Sequence, residues 1–281
     1  MIVITGANGQ LGRAIADRLP ADQLAVSVRD PAAAEDLAAR GVRVRRGDFT
    51  EPDTLLDAFA GADQVLIISA AAVGDEAERR HRAAIDAAVR AGARRILYTS
   101  HMGANPASPF PPMPSHATSE RLLEASGVPF TALRNGFYAA SAPLFMGNAV
   151  ETGRLVAPAD GPVSWTAHAD LAAAAARILT DGGFDGSTPP LTATEALDFA
   201  DLAELASDIH GTPIERVVVS DEAYAASMRE RGVPDWRVEI AIGMFRASRN
   251  GEFAATDPTL ERLLGRPPIT MREVLSPPDA G

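Results

Sequence analysis

Ile2-Val3-Ile4-Thr5-Gly6-Ala7-Asn8-Gly9-Gln10-Leu11-Gly12 opens the chain: a short apolar strand, three glycines at close spacing, and the start of an amphipathic stretch. In such a turn one glycine permits the tight bend. A second lets the backbone approach a pyrophosphate, and a third lets the next helix pack closely on the strand. The helix start then offers unpaired N–H groups and a partial positive charge to phosphates. A Gly-rich match alone is weak, but strand, spacing and helix coincide here. Gly6, Asn8, Gly9, Gln10, Leu11 and Gly12 are therefore expected to cradle a dinucleotide.

Outward from this loop, the first 135 residues alternate apolar strands with alanine-rich helices, the signature of a parallel sheet. Strands are expected at Met1 to Thr5, Leu24 to Val28, Val42 to Arg46, Gln64 to Ile68, Arg95 to Ser100 and Phe130 to Arg134. Helices are expected at Leu11 to Leu19, Ala32 to Arg40, Thr54 to Phe59, Asp75 to Ala91 (stopped by Gly92) and Ser115 to Ala125. The fold class is α/β: a Rossmann doubly wound parallel sheet over 1–135 and a smaller C-terminal α/β substrate lobe over 136–281, from which later segments can return to the sheet. In the second part, short strands are expected near Leu155, Leu191 and Val217. Helices are expected at Ala169 to Leu179, Phe199 to His210, Asp221 to Arg231, Asp235 to Ser248 and Thr270 to Leu275. Gly182 to Pro190 and Gly265 to Pro268 read as loops. The lobe is expected over the carboxyl ends of the strands, where doubly wound sheets bind ligands.

Composition narrows the function. Apolar residues make up 46% and charged residues 22%, as in globular proteins. The net charge of −11 argues against a nucleic-acid partner. The absence of cysteine removes disulfides, thiolate nucleophiles and thiolate metal sites. The longest apolar runs, such as Ala169 to Ala176, are too short to span a bilayer. A strand beginning at the first residues leaves no room for a leader, so a soluble cytoplasmic protein without a membrane partner is expected. No His, Asp and Glu cluster has metal-ligand spacing, so no metal is expected. His168 and Asp170 sit at a helix start, where capping by Asp170 or a neighbour is the expected role.

The corner Val28-Arg29-Asp30-Pro31 bears on the cofactor. An arginine at the end of the second strand can pair with a 2′-phosphate, and a carboxylate there would suit a 2′-hydroxyl. Arg29 favours NADP(H) over NAD(H), with Asp30 as the residue that would serve the latter. In Gly47-Asp48-Phe49, Asp48 can accept from an adenine amine and Phe49 can pack on the ring. The small residues Ser69, Ala70 and Ala71 suit a turn beside a dinucleotide.

These segments resemble the atypical short-chain dehydrogenase/reductases. Leu66-Ile67-Ile68-Ser69, Tyr98-Thr99-Ser100, His116 to Glu120 and Leu133-Arg134-Asn135-Gly136-Phe137-Tyr138 are similar to the NmrA-like branch, above all its type 2 NAD(P)H:quinone oxidoreductases. Leu260 to Leu264 with Pro267 extends the resemblance over nearly the whole chain. It implies NADPH in the cleft, with Thr99 among the cofactor-binding residues. It further implies a small planar electrophile such as a quinone above the nicotinamide, and a homodimer is an open possibility.

Most of that superfamily uses a Tyr-x-x-x-Lys pair, whose lysine lowers the tyrosine pKa for proton exchange. Here every one of the 26 basic residues is arginine, and the corresponding segment reads His116-Ala117-Thr118-Ser119-Glu120. Quinone reduction tolerates this loss, because it needs mainly a hydride donor held about 3–3.5 Å from the acceptor and water kept out. His116, with an ordinary pKa of about 6.5, is the candidate proton donor or ribose ligand, against the alternative of a helix-surface histidine. Asn135 ends the last core strand and is expected to hold a carboxamide or an acceptor oxygen, or to cap the turn at Gly136. Glu120 is expected to be structural. Phe137, Tyr138 and Trp165 would form an aromatic wall for the acceptor, with lobe packing as the alternative. His101 and Met102 begin a proline-rich loop, Ser100 to Pro114, that could cover it. Three functions stay open: a quinone-type reductase, a non-catalytic NADP(H) sensor of the NmrA type, and a specialised reductase or isomerase of secondary metabolism.

Overall fold

A computed structural model describes residues 1–277. Its first part runs β1 (Ile2–Thr5), α1 (Gln10–Ala16), β2 (Leu24–Val28), α2 (Glu35–Ala39), β3 (Arg43–Arg46), α3 (Pro52–Phe59), β4 (Gln64–Ile67), α4 (Gly74–Arg90), β5 (Arg95–His101), α5 (Pro112–Ala125) and β6 (Phe130–Asn135). There follow β7 (Phe137–Tyr138), α6 (Ala142–Met146), α7 (Ala149–Thr152), β8 (Arg154–Pro158), β9 (Trp165–Thr166), α8 (His168–Asp181) and β10 (Gly186–Ser187). The chain ends with α9 (Phe199–His210), β11 (Glu215–Val219), α10 (Asp221–Glu230), α11 (Asp235–Arg249), α12 (Thr259–Leu264) and α13 (Met271–Leu275).

Seven parallel strands form the central sheet in the order β3-β2-β1-β4-β5-β6-β10. The chain winds outward from β1 to β3, then crosses back to β4, so the carboxyl ends of β1 and β4 flank the topological switch point. Both faces of the sheet are covered. Leu11 and Ile15 of α1 share one apolar cluster with Leu171, Ala175 and Ile178 of α8. On the opposite face Leu55 and Phe59 of α3, Ile85 and Ala88 of α4, and Leu123 of α5 pack on β1, β4 and β5. The smaller lobe holds two parallel two-stranded ribbons, β8 with β11 and β7 with β9, around a third cluster containing Phe110, Phe137, Trp165, Phe199, Phe245 and Phe253. No described helix is long and apolar enough to cross a membrane.

Several expected boundaries move for identifiable reasons. The stretch read as a loop at Gly182 to Pro190 contains β10, and Leu191 makes only an isolated bridge to Asn135. Thr188 N–H donates to Ala132 O and Leu191 N–H to Arg134 O, while Pro189 and Pro190 lack the N–H that would continue the ladder between them. The sheet and its covering helix α8 thus draw on residues beyond 135. Helix α5 begins at Pro112 rather than Ser115, because Pro112 and Pro114 stand in its first turn, where a missing N–H leaves no bond unmade. The helix expected over Ala32 to Arg40 divides into a 3₁₀ turn at Pro31–Ala34 and α2.

Asp170 is not the cap of α8. Ala167 occupies that position, and the fully buried Asp170 carboxylate instead accepts from Ile269 N–H at 2.6 Å and from Arg266, pinning the segment after α12 onto α8. Asp170→Ala would leave a half-buried N–H and a half-exposed guanidinium without their acceptor, and a loss of about 1–3 kcal/mol is expected by urea unfolding. A loss below about 0.5 kcal/mol would show that this carboxylate does not hold the C-terminal segment.

Candidate active site

Two features of the glycine loop follow from the backbone. Gly6 has φ of +66°, and a Cβ at Gly12 would stand 2.4 Å from Gly6 O, so α1 can sit this close to the strand only with glycine there. Leu11 sends its side chain into the core, whereas Asn8, Gly9 and Gln10 are exposed. The first N–H groups of α1 have no acceptor within the helix and open onto the crevice beside β1. Asn8 Nδ2 donates to Asp30 O at 3.4 Å, tying the loop to the corner after β2. At that corner Asp30 accepts from Ala32 N–H at 3.0 Å and closes its own turn, while Arg29 is exposed. Free N–H groups at the start of α1 beside an exposed arginine fit a phosphorylated dinucleotide.

Asp48 accepts from Thr50 N–H and Thr50 Oγ1, both at 2.8 Å, which holds its carboxyl below the ordinary range, with Arg29 and Arg46 adding to the effect. Phe49 is half-buried and rests against the α3–α4 cluster. The turn after β4 is fixed by side chains from its neighbours. Thr5 Oγ1 accepts from Ile68 N–H at 2.9 Å, Thr99 Oγ1 from Ser69 N–H at 2.8 Å, and His81 Nε2 from Ala70 N–H at 2.9 Å. Ser69, Ala70 and Thr99 are thereby brought together beside Gly6, whose Cα faces Ile68.

At the ends of β5 and β6, His101 stands opposite Asn135, and Asn135 O accepts from Met102 N–H at 2.8 Å. Asn135 is buried, with its amide beside the Tyr138 hydroxyl. His101 packs edge-on against Phe137 and Phe253, at 5.6 and 5.4 Å between ring centres. His116, on α5, lies 6.2 Å from His101, and the Tyr98 hydroxyl meets its Nδ1 at 2.9 Å. His116 is thus no surface histidine.

The expected aromatic wall is divided. Successive residues of a strand point to opposite sides, so Phe137 enters the lobe cluster while Tyr138 turns toward α8, its ring 4.3 Å from that of His168 and tilted by 40°. Trp165 stands behind Phe137 at 5.2 Å, 1% exposed, its indole N–H given to Leu197 O at 3.0 Å, and so belongs to the lobe core. Phe110 and Phe253, which the sequence did not single out, complete the surface around Phe137, at 5.6 and 5.2 Å. Glu120 is saturated: it accepts from Ser100 Oγ at 2.6 Å, Arg134 Nε at 3.0 Å, Arg134 Nη2 at 2.7 Å and Ser187 Oγ at 3.2 Å. Among the described residues no cluster of His, Asp and Glu is arranged to hold a metal ion.

A family model described as NAD(P)H-binding matches residues 6–182. Quinone oxidoreductase 2 of Escherichia coli is 36% identical over 98% of both chains, and its NADPH-bound crystal structure superposes with a TM-score of 0.90 over 98% of both, at 33% identity. An NmrA-like family domain-containing oxidoreductase of Aspergillus flavus is 31% identical over 97% of this chain and 93% of its own. The triphenylmethane reductase of a Citrobacter species, complexed with NADP(H), superposes with a TM-score of 0.90 at 31% identity, over 98% of this chain and 99% of that one. The chain belongs to the NAD(P)H-binding, NmrA-like family. It is an NAD(P)H-dependent oxidoreductase.

In this NmrA-like oxidoreductase the imidazoles near the site are held neutral. Burial pushes His81 down to about 4 and His101 to about 3, and His116 well below its ordinary value, with the other two histidines adding to the last effect. Burial likewise raises the Tyr98 and Tyr138 hydroxyls. His81 has no motif around it in the sequence; only its apolar helix neighbours Ala77, Ala84 and Ile85 signal burial. A histidine whose folded pKa lies below its unfolded value binds its proton more readily when unfolded, so stability rises with pH across the interval between the two. The fold is therefore expected to be insensitive to pH above about 6.5 and to lose stability toward pH 4, with His81 alone accounting for on the order of 3 kcal/mol by then. Urea midpoints for the wild type and His81→Asn at pH 7, 6 and 5 check this: the variant should show the shallower decline, and parallel curves would refute the assignment.

Proposed function

We propose that the chain is an NADPH-dependent reductase that delivers hydride to a quinone or a similar conjugated acceptor by positioning, without a Tyr/Lys acid–base pair. The observation that carries this reading is Glu120. At the place where a lysine would lower a tyrosine pKa, a carboxylate is bound by Ser100, Ser187 and Arg134, and the nearby Tyr98 hydroxyl has its pKa raised rather than lowered. Alcohol and sugar chemistry needs that proton exchange, whereas a conjugated acceptor needs only a held hydride donor.

When bound, the reduced nicotinamide supplies the hydride. The residues of the chain do the rest. The Gly9 N–H closes the turn on Gly6 O, while Gln10, Leu11 and Gly12 turn backbone N–H groups toward the diphosphate, and Arg29 is the partner for a 2′-phosphate. Asn135 offers an amide at the end of β6 for a carboxamide or an acceptor oxygen. Phe137, Phe110 and Phe253 with His101 exclude water from the acceptor side. Met102 begins the loop beside them.

NADPH consumption with a small benzoquinone is the direct test, and no turnover across a broad panel of conjugated acceptors would reject the proposal. Arg29→Glu is expected to raise the KM for NADPH by about 10- to 100-fold and to leave NADH nearly unaffected. Equal effects on both cofactors would remove Arg29 from 2′-phosphate recognition.

A further inference from the structure

Behind the acceptor side, polar groups run in one line between α4, β5 and α5. Ala70 N–H meets His81 Nε2 at 2.9 Å. His81 Nδ1 lies 2.8 Å from Ser119 Oγ and 3.3 Å from the Tyr98 hydroxyl. Tyr98 in turn lies 2.9 Å from His116 Nδ1. His81, Tyr98 and Ser119 are all within 2% of complete burial.

The direction of each bond follows from chemistry. An amide N–H can only donate, so His81 Nε2 accepts, and the neutral ring carries its proton on Nδ1. Ser119 donates to Ser115 O at 2.7 Å, so it accepts from His81. The Tyr98 oxygen sits beside the same N–H, which leaves the phenolic hydrogen for His116 Nδ1. His116 must then carry its own proton on Nε2. At His101 a second amide does the same work, because Gly103 N–H donates to Nδ1 at 3.0 Å and leaves the proton on Nε2. Neither Nε2 has a partner among the described residues, and both histidines are only partly buried. The line begins on a backbone amide that has no proton to release, so it cannot relay protons; it fixes tautomers. The charges facing it are Arg80 from α4 and Glu120 from α5, the latter paired with Arg134.

We propose that His101 and His116 are held as a pair of neutral Nε2–H donors that bind the acceptor oxygen on which negative charge collects, with Tyr98, His81 and Ser119 as positioning residues. This rests on the reductase reading given above. Hydride adds to the acceptor with its electron pair, the nicotinamide is oxidised, and the acceptor oxygen becomes anionic. It keeps two N–H contacts until water supplies the proton. Such a pair favours acceptors whose reduction builds an oxyanion.

Nitrogen-15 spectra of the five histidine rings report tautomers directly, without turnover. In the wild type, His116 and His101 should both show the Nε2–H pattern from pH 5.5 to 8. Tyr98→Phe removes one hydroxyl and should turn the His116 signal alone into a tautomer mixture. The same variant should lower kcat for a small benzoquinone about 2- to 10-fold at unchanged KM for NADPH. His81→Asn should produce the same change at His116. An Nδ1–H pattern at His116 in the wild type, an unchanged pattern in both variants, or an unchanged kcat in Tyr98→Phe would each overturn the proposal. If the tautomers are as stated and the wild type reduces no quinone, the reductase reading fails and the tautomer lock stands.

Discussion

A helix and a strand turn meet at Gly12 and Gly6 with no room for a methyl group between them, and much of the molecule is arranged around that contact. Seated there, α1 sends Leu11 and Ile15 into the cluster shared with α8, which fixes one face of the sheet. The same seat leaves the N-terminal amides of α1 at the crevice where strand order reverses between β1 and β4. Everything chemically distinctive then lies one or two strands away, at the ends of β4, β5 and β6.

Much of the first half was legible because its strands are buried on both faces and read as unbroken apolar runs, as at Ile2 to Ile4 and Val65 to Ile67. The family was legible too, from the glycine loop and the Leu133 to Tyr138 segment. The strand β10 was not. Two residues, a glycine and a serine, carry no periodicity, and their pairing is set by backbone bonds to β6. For the same reason a two-residue strand at Phe137–Tyr138 concealed the alternation that sends one ring to the lobe and the other to α8. Phe110, Phe137 and Phe253 are scattered along the chain and meet only through the lobe's packing. His81 lies on a helix whose remaining residues are ordinary, and its role depends on a backbone amide from another element.

The polar groups around the site are either locked in ion pairs or kept uncharged. Glu120 and Arg134 neutralise each other and bind α5 to β5, β6 and β10. The three imidazoles and two phenols nearby have their neutral forms favoured by burial. A site of this kind has little capacity to trade protons near neutral pH. Its resources are shape, apolar walls and fixed N–H dipoles, the means that the proposed reductase chemistry would use.

In the proposed reaction hydride transfer proceeds by positioning, with no side chain titrating near neutrality. The most direct measurement is kcat/KM for a small benzoquinone with saturating NADPH from pH 5.5 to 8.5. A flat profile over that range is expected. A bell-shaped or sigmoidal profile with an apparent pKa near 6.5 would contradict it, because it would require an imidazole that exchanges its proton during turnover.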